Sequence, residues 1–541
     1  MTDFPWLTTL GLIPLVGALV VGLLPRGRDL LAKQIALATS LLVLAGTIAM
    51  CAAFEPNGSR FQFVETREWI PAFGTQYALG VDGIALVLIA LVAVLVPVVL
   101  LASWDEGEPS EPVAHRAPID GGEGDEEIER RTAPLLKSRR RTPRMFVMLI
   151  LILETMMIGV FAATDVFLFY VFFEAMLIPM YFLIGIFGGP KRSYAAVKFL
   201  LYSLVGGLLM LAAVIGLYVV SADQGTGTFA FAQLTELEIS EPVQFALFLG
   251  FFIAFAIKAP LFPVHTWLPD AGAEAPVGGA ILLVGILDKV GTFGFLRYCL
   301  PLFPDAAQTL GPWILGLCVI GILYGALLAM GQKDMKRLVS YTSIAHFGFI
   351  GLGCFAFTSQ AGTGAVLYMV NHGLSTGALF LVVGFLIARG RSRLVGDYSG
   401  IAKVAPVLGG FFLVAGLSSL ALPGLSTFVS EVLVLLGTFS RYRVAAIVAT
   451  LGIVLAALYI LLLYQRTMQG PLSAAHEKMA DLRLREVLAV APLVALMIFL
   501  GFYPKPLTDV ITPAVNATLV DAGVRDPQPT QLTAVPAAAE R

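Results

Sequence analysis

Long apolar runs separated by short polar stretches make up most of this chain. A helix that crosses a bilayer needs about 20 predominantly apolar residues, and fourteen runs approach or exceed that length. They lie at about 6–24, 30–54, 81–103, 145–163, 166–186, 196–221, 243–264, 276–300, 312–331, 337–357, 363–388, 405–440, 443–465 and 487–504. The pattern predicts an all-α polytopic membrane protein with about 14 transmembrane helices.

Two polar stretches stand out from this pattern. Residues 105–144 have an acidic half, a basic half and scattered Pro and Gly, so they predict a charged cytoplasmic loop without a core. Residues 507–541 predict a polar C-terminal tail. The resulting segments are 1–104 with the first three helices, the loop 105–144, 145–300 with helices four to eight, 312–466 with helices nine to thirteen, 487–504 with the last helix, and the tail 507–541.

Composition agrees with a membrane protein. The 541 residues are 58% hydrophobic and 13% charged, with mean hydropathy +0.85, whereas soluble domains are about 25% charged. The net charge of −2 gives no electrostatic argument for binding nucleic acid. Four scattered cysteines without a C-x-x-C pair favour neither a metal site nor an iron–sulfur cluster, and no glycine-rich nucleotide motif follows a strand.

The distribution of Lys and Arg predicts the side that each connection faces, because cytoplasmic connections are enriched in both. Of 35 such residues, 25 lie in connections after odd-numbered helices and 8 lie on the opposite side. Lys258 and Lys289 remain inside apolar runs. Both termini are therefore predicted to be extracytoplasmic.

Lys258 follows fifteen mostly apolar residues and is followed at once by prolines. A charge at the centre of a membrane helix costs about 2.5–3.5 kcal/mol on insertion scales. Pro260 and Pro263, which follow Lys258, have no backbone N–H to donate. Pro423 lacks one in the same way in the run 405–440, which contains Glu431. Irregular backbone inside a membrane is tolerated where it is buried in protein or lines a cavity, and transporters build ion sites at such broken helices.

Seven further ionisable side chains lie inside predicted spans: Glu154, Glu174, Asp288, Lys289, His346, His372 and Glu431. Several of them occupy one mid-membrane depth. Burial disfavours the charged form of each, whereas a nearby opposite charge favours it, so such a row can bind and release protons. Direct cation transport by the same carboxylates is the alternative. A lone membrane histidine can instead be a helix-packing group, and Glu154 or Asp288 can neutralise a neighbouring helix.

Four motifs around these residues resemble a known family. They are Lys258–Asp270 (KAPLFPVHTWLPD), Phe172–Phe182 (FFEAMLIPMYF), Gln332–His346 (QKDMKRLVSYTSIAH) and Leu422–Glu431 (LPGLSTFVSE). Together with the helix that bears His372, they resemble the antiporter-like membrane subunits of proton-pumping NADH:quinone oxidoreductase (respiratory complex I). The sequence Lys-Ala-Pro-Leu-Phe-Pro and the glutamate at position 431 are similar to those of the M-type of these subunits.

The resemblance implies two inverted five-helix repeats, helices four to eight and nine to thirteen, each with a broken helix. It implies that Glu174 and Lys258 form the ion pair of a first half-channel and that Lys289 is a central relay. His346 and His372 continue the path, Glu431 is the terminal site of the second half-channel, and Glu154 matches a further carboxylate. Asp288 departs from the family pattern, which usually has an apolar residue there.

The resemblance also implies what lies around the chain. It predicts a non-redox subunit of a proton-translocating enzyme in the bacterial plasma membrane, without a cofactor or metal of its own. NADH, FMN, iron–sulfur clusters and quinone would be bound by partner subunits, and L-type and N-type antiporter-like subunits would be neighbours in the bilayer. The alternative is a subunit of a multi-subunit sodium/proton antiporter or of a membrane-bound hydrogenase, which share the fold.

Overall fold

The computed structural model describes residues 4–25, 27–107 and 142–527. Within them, thirteen helices are long and apolar enough to cross a membrane. Together with four shorter helices, the main ones are α1 (Trp6–Leu23), α2 (Asp29–Ala53), α3 (Gly83–Ala102), α4 (Pro143–Ala162), α5 (Val166–Phe187), α6 (Arg192–Gln224), α7 (Glu241–Lys258), α8 (Leu268–Glu274), α9 (Val277–Leu302), α10 (Pro304–Met330), α11 (Met335–Phe355), α12 (Ser359–Gly390), α13 (Pro406–Ser419), α14 (Ser426–Arg441), α15 (Arg443–Met468), α16 (Leu484–Phe502) and α17 (Lys505–Asp521). The all-α membrane fold is confirmed.

A β-hairpin between α2 and α3 was not predicted. Its antiparallel strands are β1 (Gln62–Ile70) and β2 (Thr75–Val81), joined by a turn in which Gly74 has φ of 62°. Glu65 on β1 accepts hydrogen bonds from the backbone N–H groups of Leu7 at 2.7 Å and Thr8 at 3.2 Å. These donors belong to the first turn of α1, where no helical partner exists, so the hairpin anchors the start of α1.

Two apolar runs fold as interrupted helices. The non-helical stretch between α7 and α8 contains Pro260 and Pro263. The run 405–440 divides into α13 and α14, and Pro423 lies in the gap. Proline lacks the backbone N–H that would continue a helix, so these gaps lie where prolines interrupt an apolar run.

The helices differ in how much of their surface is covered by protein. α9, α11 and α12 are buried along nearly their whole length, whereas most residues of α1, α2 and α16 are only partly buried or exposed. Asp288 and Lys289 lie on α9, His346 lies on α11, and His372 lies on α12. These ionisable side chains are therefore carried by the most buried helices, away from lipid, which solvates charge poorly.

Ion pairs join connections whose predicted sides agree. Arg485, in the first turn of α16, contacts Asp105, after α3, at 2.5 Å. Arg60, after α2, contacts Asp521, at the end of α17, also at 2.5 Å. In the predicted order of spans, the two members of each pair lie on the same side of the membrane. This is expected when each span crosses the membrane once.

The predicted tail 507–541 begins inside a helix. α17 buries a stripe with helical spacing that packs on α12 and α3, formed by Ile511, Ala514, Val515, Thr518 and Leu519. Its other face is polar, which keeps the hydropathy of the segment low and explains why the sequence pattern did not reveal it. Residues 528–541 of the tail and 108–141 of the predicted loop lie outside the described residues.

Candidate functional site

Lys258 is the last residue of α7 and is almost completely buried, with 1% of its surface exposed. Its Nζ lies 5.2 Å from the ring centre of Phe173 and 5.7 Å from that of Phe199. Such rings attract a cation through their negative faces. No described residue accepts a hydrogen bond from this Nζ. Lys258 is therefore a buried base surrounded by aromatic rings.

Glu174 lies on α5, beside an irregular turn at Met176. Pro179 has no N–H to donate to the carbonyl of Ala175 four residues earlier, which accounts for the irregularity. The carboxylate of Glu174 lies against Gly207 of α6, where a Cβ would come within 1.6 Å of Oε1. Gly207 thus provides the space that Glu174 occupies.

Glu174 and Lys258 interact electrostatically but do not form a closed ion pair. Each charge acts on the other, yet Glu174 Oε1 and Lys258 Nζ both lack a hydrogen-bond partner among the described residues. The phenyl ring of Phe173, adjacent to Glu174 in sequence, lies beside the lysine. The two side chains are neighbours held apart in this structure.

Lys289 lies on α9 directly after a π-helical turn, Leu283–Leu287. Its Nζ donates to the carbonyl oxygen of Val284 and lies 2.6 Å from Nδ1 of His372 on α12. A π turn disturbs the regular helical hydrogen-bond ladder, and here a carbonyl within that turn accepts from the lysine. The contact joins the last helix of the first predicted half to a helix of the second half.

The two predicted histidines lie together. The ring centres of His346 and His372 are 5.2 Å apart, and the ring planes are nearly perpendicular. His346 also lies near the backbone of Ser419, the last residue of α13. The pair therefore connects Lys289 with the break between α13 and α14.

Glu431 lies on α14, just beyond that break, and is 4% exposed. The hydroxyl-bearing rings of Tyr368 and Tyr459 are close enough to interact with its charge. The ring of Tyr368 is also 5.8 Å from that of His346. Tyr368 thus lies between the histidines and Glu431. Helical spacing could have revealed it, because it precedes His372 by four residues on α12.

Glu154 on α4 is fully buried, and neither of its carboxylate oxygens has a hydrogen-bond partner among the described residues. Among the described residues it forms no ion pair. The structure therefore leaves Glu154 apart from the row formed by the other predicted residues.

A cluster of charges near α8 was assigned to connections from the sequence and is partly buried in the structure. Asp270 contacts Lys198 of α6 at 2.7 Å and also pairs with Arg337 of α11. Lys336, 6% exposed, donates to the carbonyl oxygen of Ala275. These contacts fasten the segment after the α7 break to two other helices.

The row of side chains can pass protons because each of its members can both bind and release one. In order, its members are Glu174, Lys258, Asp288, Lys289, His372, His346, Tyr368 and Glu431. Within the described ranges, no group of three His, Cys, Asp or Glu side chains could hold a metal ion.

The comparisons of this chain with known proteins agree with one another on the kind of protein it resembles. A family model described as NADH:quinone oxidoreductase/Mrp antiporter, TM matches residues 163–456. NADH-quinone oxidoreductase subunit M of Mycobacterium tuberculosis (strain H37Rv) is 52% identical over 551 residues, which cover 99% of this chain and 98% of the relative. A chain of respiratory complex I from Thermus thermophilus with bound NADH is 30% identical, with a TM-score of 0.82 over 96% of this chain and 100% of that chain. A chain of the Mrp complex from Dietzia sp. DQ12-45-1b has a TM-score of 0.78 at 20% identity, over 96% of this chain and 99% of that chain, a likeness of fold alone.

Proposed function

The chain belongs to the family of NADH:quinone oxidoreductase and Mrp antiporter membrane subunits, as an M-type membrane-arm subunit of NADH:quinone oxidoreductase, and we propose the route by which it translocates protons. The route runs from Glu174 and Lys258, through Lys289 and the two histidines, to Glu431. The 2.6 Å contact between Lys289 Nζ and His372 Nδ1 carries the proposal, because it joins the two halves of the row by a bond along which a proton can move.

The first step is the loading and unloading of Lys258. When the Glu174 carboxylate approaches, it stabilises the ammonium; when it retreats, the lysine is left among aromatic rings and releases its proton. Two observations support this step: Lys258 Nζ has no hydrogen-bond acceptor among the described residues, and the carboxylate lies in the space at Gly207. In this proposal, the separated side chains represent the state in which Lys258 releases its proton.

The second step is transfer through the imidazoles. His372 Nδ1 accepts a proton from the Lys289 ammonium, and its Nε2 then donates a proton onward, so the ring conducts without moving far. The neighbouring His346 ring, 5.2 Å from it centre to centre, supports a second transfer of the same kind. Tyr368 continues the path as a hydroxyl that can both accept and donate.

Glu431 is the terminal site. It lies beside the gap between α13 and α14, so a charge there can be stabilised by backbone groups that the helices leave free. Asn371 supports the geometry, since its Nδ2 donates to the carbonyl oxygen of Ser426 at 2.7 Å, the first residue of α14. Glu154, isolated from the other charges, is assigned a secondary role in proton uptake.

The chain acts as a non-redox translocase subunit. Moving one charge through the membrane potential requires about 2.3 kcal/mol per 100 mV, which quinone reduction in partner subunits would supply. Those partners would hold NADH, FMN, iron–sulfur clusters and quinone, and L-type and N-type subunits would adjoin this chain in a bacterial plasma membrane. Mass spectrometry of the proteins that co-purify with the chain tests this, because antiporter subunits without flavin and iron–sulfur partners would contradict it.

Lys258→Ala tests the route. We expect proton uptake per NADH oxidised to be nearly abolished in reconstituted vesicles while the complex still assembles, because the titrating base is lost and the surrounding packing stays. Lys505→Ala is the matched control, since that lysine is exposed and outside the row. Wild-type proton uptake by an assembled Lys258→Ala complex would contradict the proposal.

A further inference from the structure

The packing of α9 on α7 determines where Asp288 lies. The ring of Phe295 is 5.4 Å from that of Phe252, and a Cβ on Gly291 would come within 2.4 Å of the carbonyl oxygen of Phe255. Lower residue numbers on α9 therefore meet higher numbers on α7, so the helices are antiparallel. Asp288 precedes Gly291 by three residues and shares its face. That face carries Asp288 to the end of α7, where Lys258 is the last residue.

Lys289 points in a different direction, toward α11 and α12. Adjacent positions on a helix point about 100° apart, and the Lys289 side chain contacts His372 of α12 and lies 5.1 Å from the ring centre of Phe347 of α11. α9 is thus a partition between the two halves of the row. Asp288 is on the Lys258 side of it, and Lys289 is on the histidine side.

Asp288 is a buried acid with unused hydrogen-bonding capacity. It is 0% exposed, and neither carboxylate oxygen has a hydrogen-bond partner within the described ranges. The charges of both Lys258 and Lys289 act on it. Burying an unpaired carboxyl destabilises a fold, and an apolar residue would fill the same space at lower cost. Glu154, buried to the same degree, has no such neighbours.

We propose that Asp288 is the proton-transfer residue that carries protons from Lys258 to Lys289 through the partition formed by α9. The inference rests on the proposed function, which assigns the two lysines to one route. The Lys258 ammonium loses an N–H bond as the Asp288 carboxylate gains an O–H bond, leaving a neutral amine and a neutral acid. The acid then gives its proton to Lys289, whose amine has become neutral by transferring its own proton to His372. The carboxylate is restored, and one positive charge has crossed α9.

The first test is proton uptake per NADH oxidised in vesicles containing the whole complex. Asp288→Asn should lose as much uptake as Lys258→Ala, because a chain of transfers fails at any missing link. Asp288→Glu should keep most of the uptake, since it retains the titrating group. Thr467→Val is the matched control, a fully buried polar residue on α15 whose hydroxyl donates to the backbone carbonyls of Leu463 and Tyr464 on its own helix.

The second test separates a proton carrier from a fixed counter-charge. The infrared difference spectrum between NADH-reduced and oxidised complex should contain a protonated-carboxyl band that shifts in Asp288→Glu and is absent in Asp288→Asn. Loss of uptake without any carboxyl band from position 288 would overturn the inference in favour of a static charge. If Asp288→Asn does not assemble, the band shift in Asp288→Glu decides alone, and its absence overturns the inference.

The two proposals fail differently. Wild-type uptake in Lys258→Ala would overturn the proposed route, whatever Asp288 does. Loss of uptake in Lys258→Ala together with wild-type uptake in Asp288→Asn would overturn only the role of Asp288.

Discussion

At the scale of single residues, each ionisable side chain in the row has a different kind of neighbour, and the neighbour decides what the side chain can do. Lys258 is surrounded by aromatic rings and has no hydrogen-bond acceptor among the described residues, so its protonation depends on charges that approach it. Lys289 contacts an imidazole nitrogen directly, so its proton has a defined destination. The two lysines therefore have different roles in the proposed route.

Gly207→Ala should lower proton uptake, though less than Glu174→Ala, the variant that removes the carboxylate altogether. The new methyl group would overlap the Glu174 carboxylate, because a Cβ at 207 would lie 1.6 Å from Oε1. The displaced carboxylate could no longer alternate between its present position and Lys258. Proton uptake per NADH checks this, with Gly316→Ala as control, since nothing lies within 4 Å of a Cβ there. Equal uptake in both variants would show that the position of Glu174 does not matter.

Glu431→Gln should lower proton uptake, whereas Glu431→Lys should retain part of it. Glutamine keeps the size and hydrogen bonding of the side chain but cannot exchange a proton in this pH range, whereas lysine is titratable at the same broken helix. The measurement is proton uptake per NADH oxidised in vesicles for the wild type and both variants. If glutamine pumps as well as glutamate, Glu431 is a structural hydrogen-bonding residue and the exit path runs elsewhere.

At the scale of helices, the interruptions need their own hydrogen bonds. Where α7 ends, the indole Nε1 of Trp267 donates to the carbonyl oxygen of Ile257 at 2.8 Å, just before Lys258. At the second interruption, Thr427 donates to the carbonyl oxygen of Ser418. Helix ends leave carbonyls without helical partners, so these side chains stabilise the breaks beside Lys258 and Glu431.

Trp267→Phe should destabilise the protein by about 1–3 kcal/mol, the cost of leaving a buried carbonyl without its partner. Thermal unfolding of the purified complex measures the loss as a lower transition temperature. Trp313→Phe is the matched control, because Trp313 is 77% exposed. Equal transition temperatures for the two variants would show that the Trp267 bond contributes nothing to the break.

At the scale of the whole molecule, the bundle separates charge by side. Basic residues concentrate in connections after odd-numbered spans. The ion pairs Arg485–Asp105 and Arg60–Asp521 each join two segments that are predicted to lie on the same side of the membrane. The most buried helices carry the middle of the ionisable row, from Asp288 to His346. A charged path can therefore cross the protein interior without contact with lipid.

Reporter fusions test the predicted orientation. Alkaline phosphatase fused to either end of the chain should be active, because that enzyme folds only outside the cytoplasm, and a fluorescent protein exported to that side should stay dark. A fusion in the connection between α10 and α11, which contains Lys333, should give the opposite pattern. Cytoplasmic termini would reverse the positive-inside assignment.

Sequence alone was enough for the properties that depend on local hydropathy and single residue types. The spans, the interrupted helices and the buried ionisable residues follow from insertion energetics, in which each segment is judged largely by its own composition. The exceptions were β1 and β2, whose pairing is non-local, and α17, whose apolar face was masked by its polar one. Such elements are stabilised by the surfaces that they meet.

Only the tertiary structure decided which ionisable residues meet. Asp288 and Lys289 are adjacent in sequence yet face different helices, Glu154 is buried apart from the row, and Tyr368 enters it. The reason is physical: a proton moves over a few ångströms, and distances on that scale depend on how helices rotate and pack against one another. Burial depth can be predicted from the position of a residue along an apolar run, but the direction of a side chain depends on the packing of the helices around it.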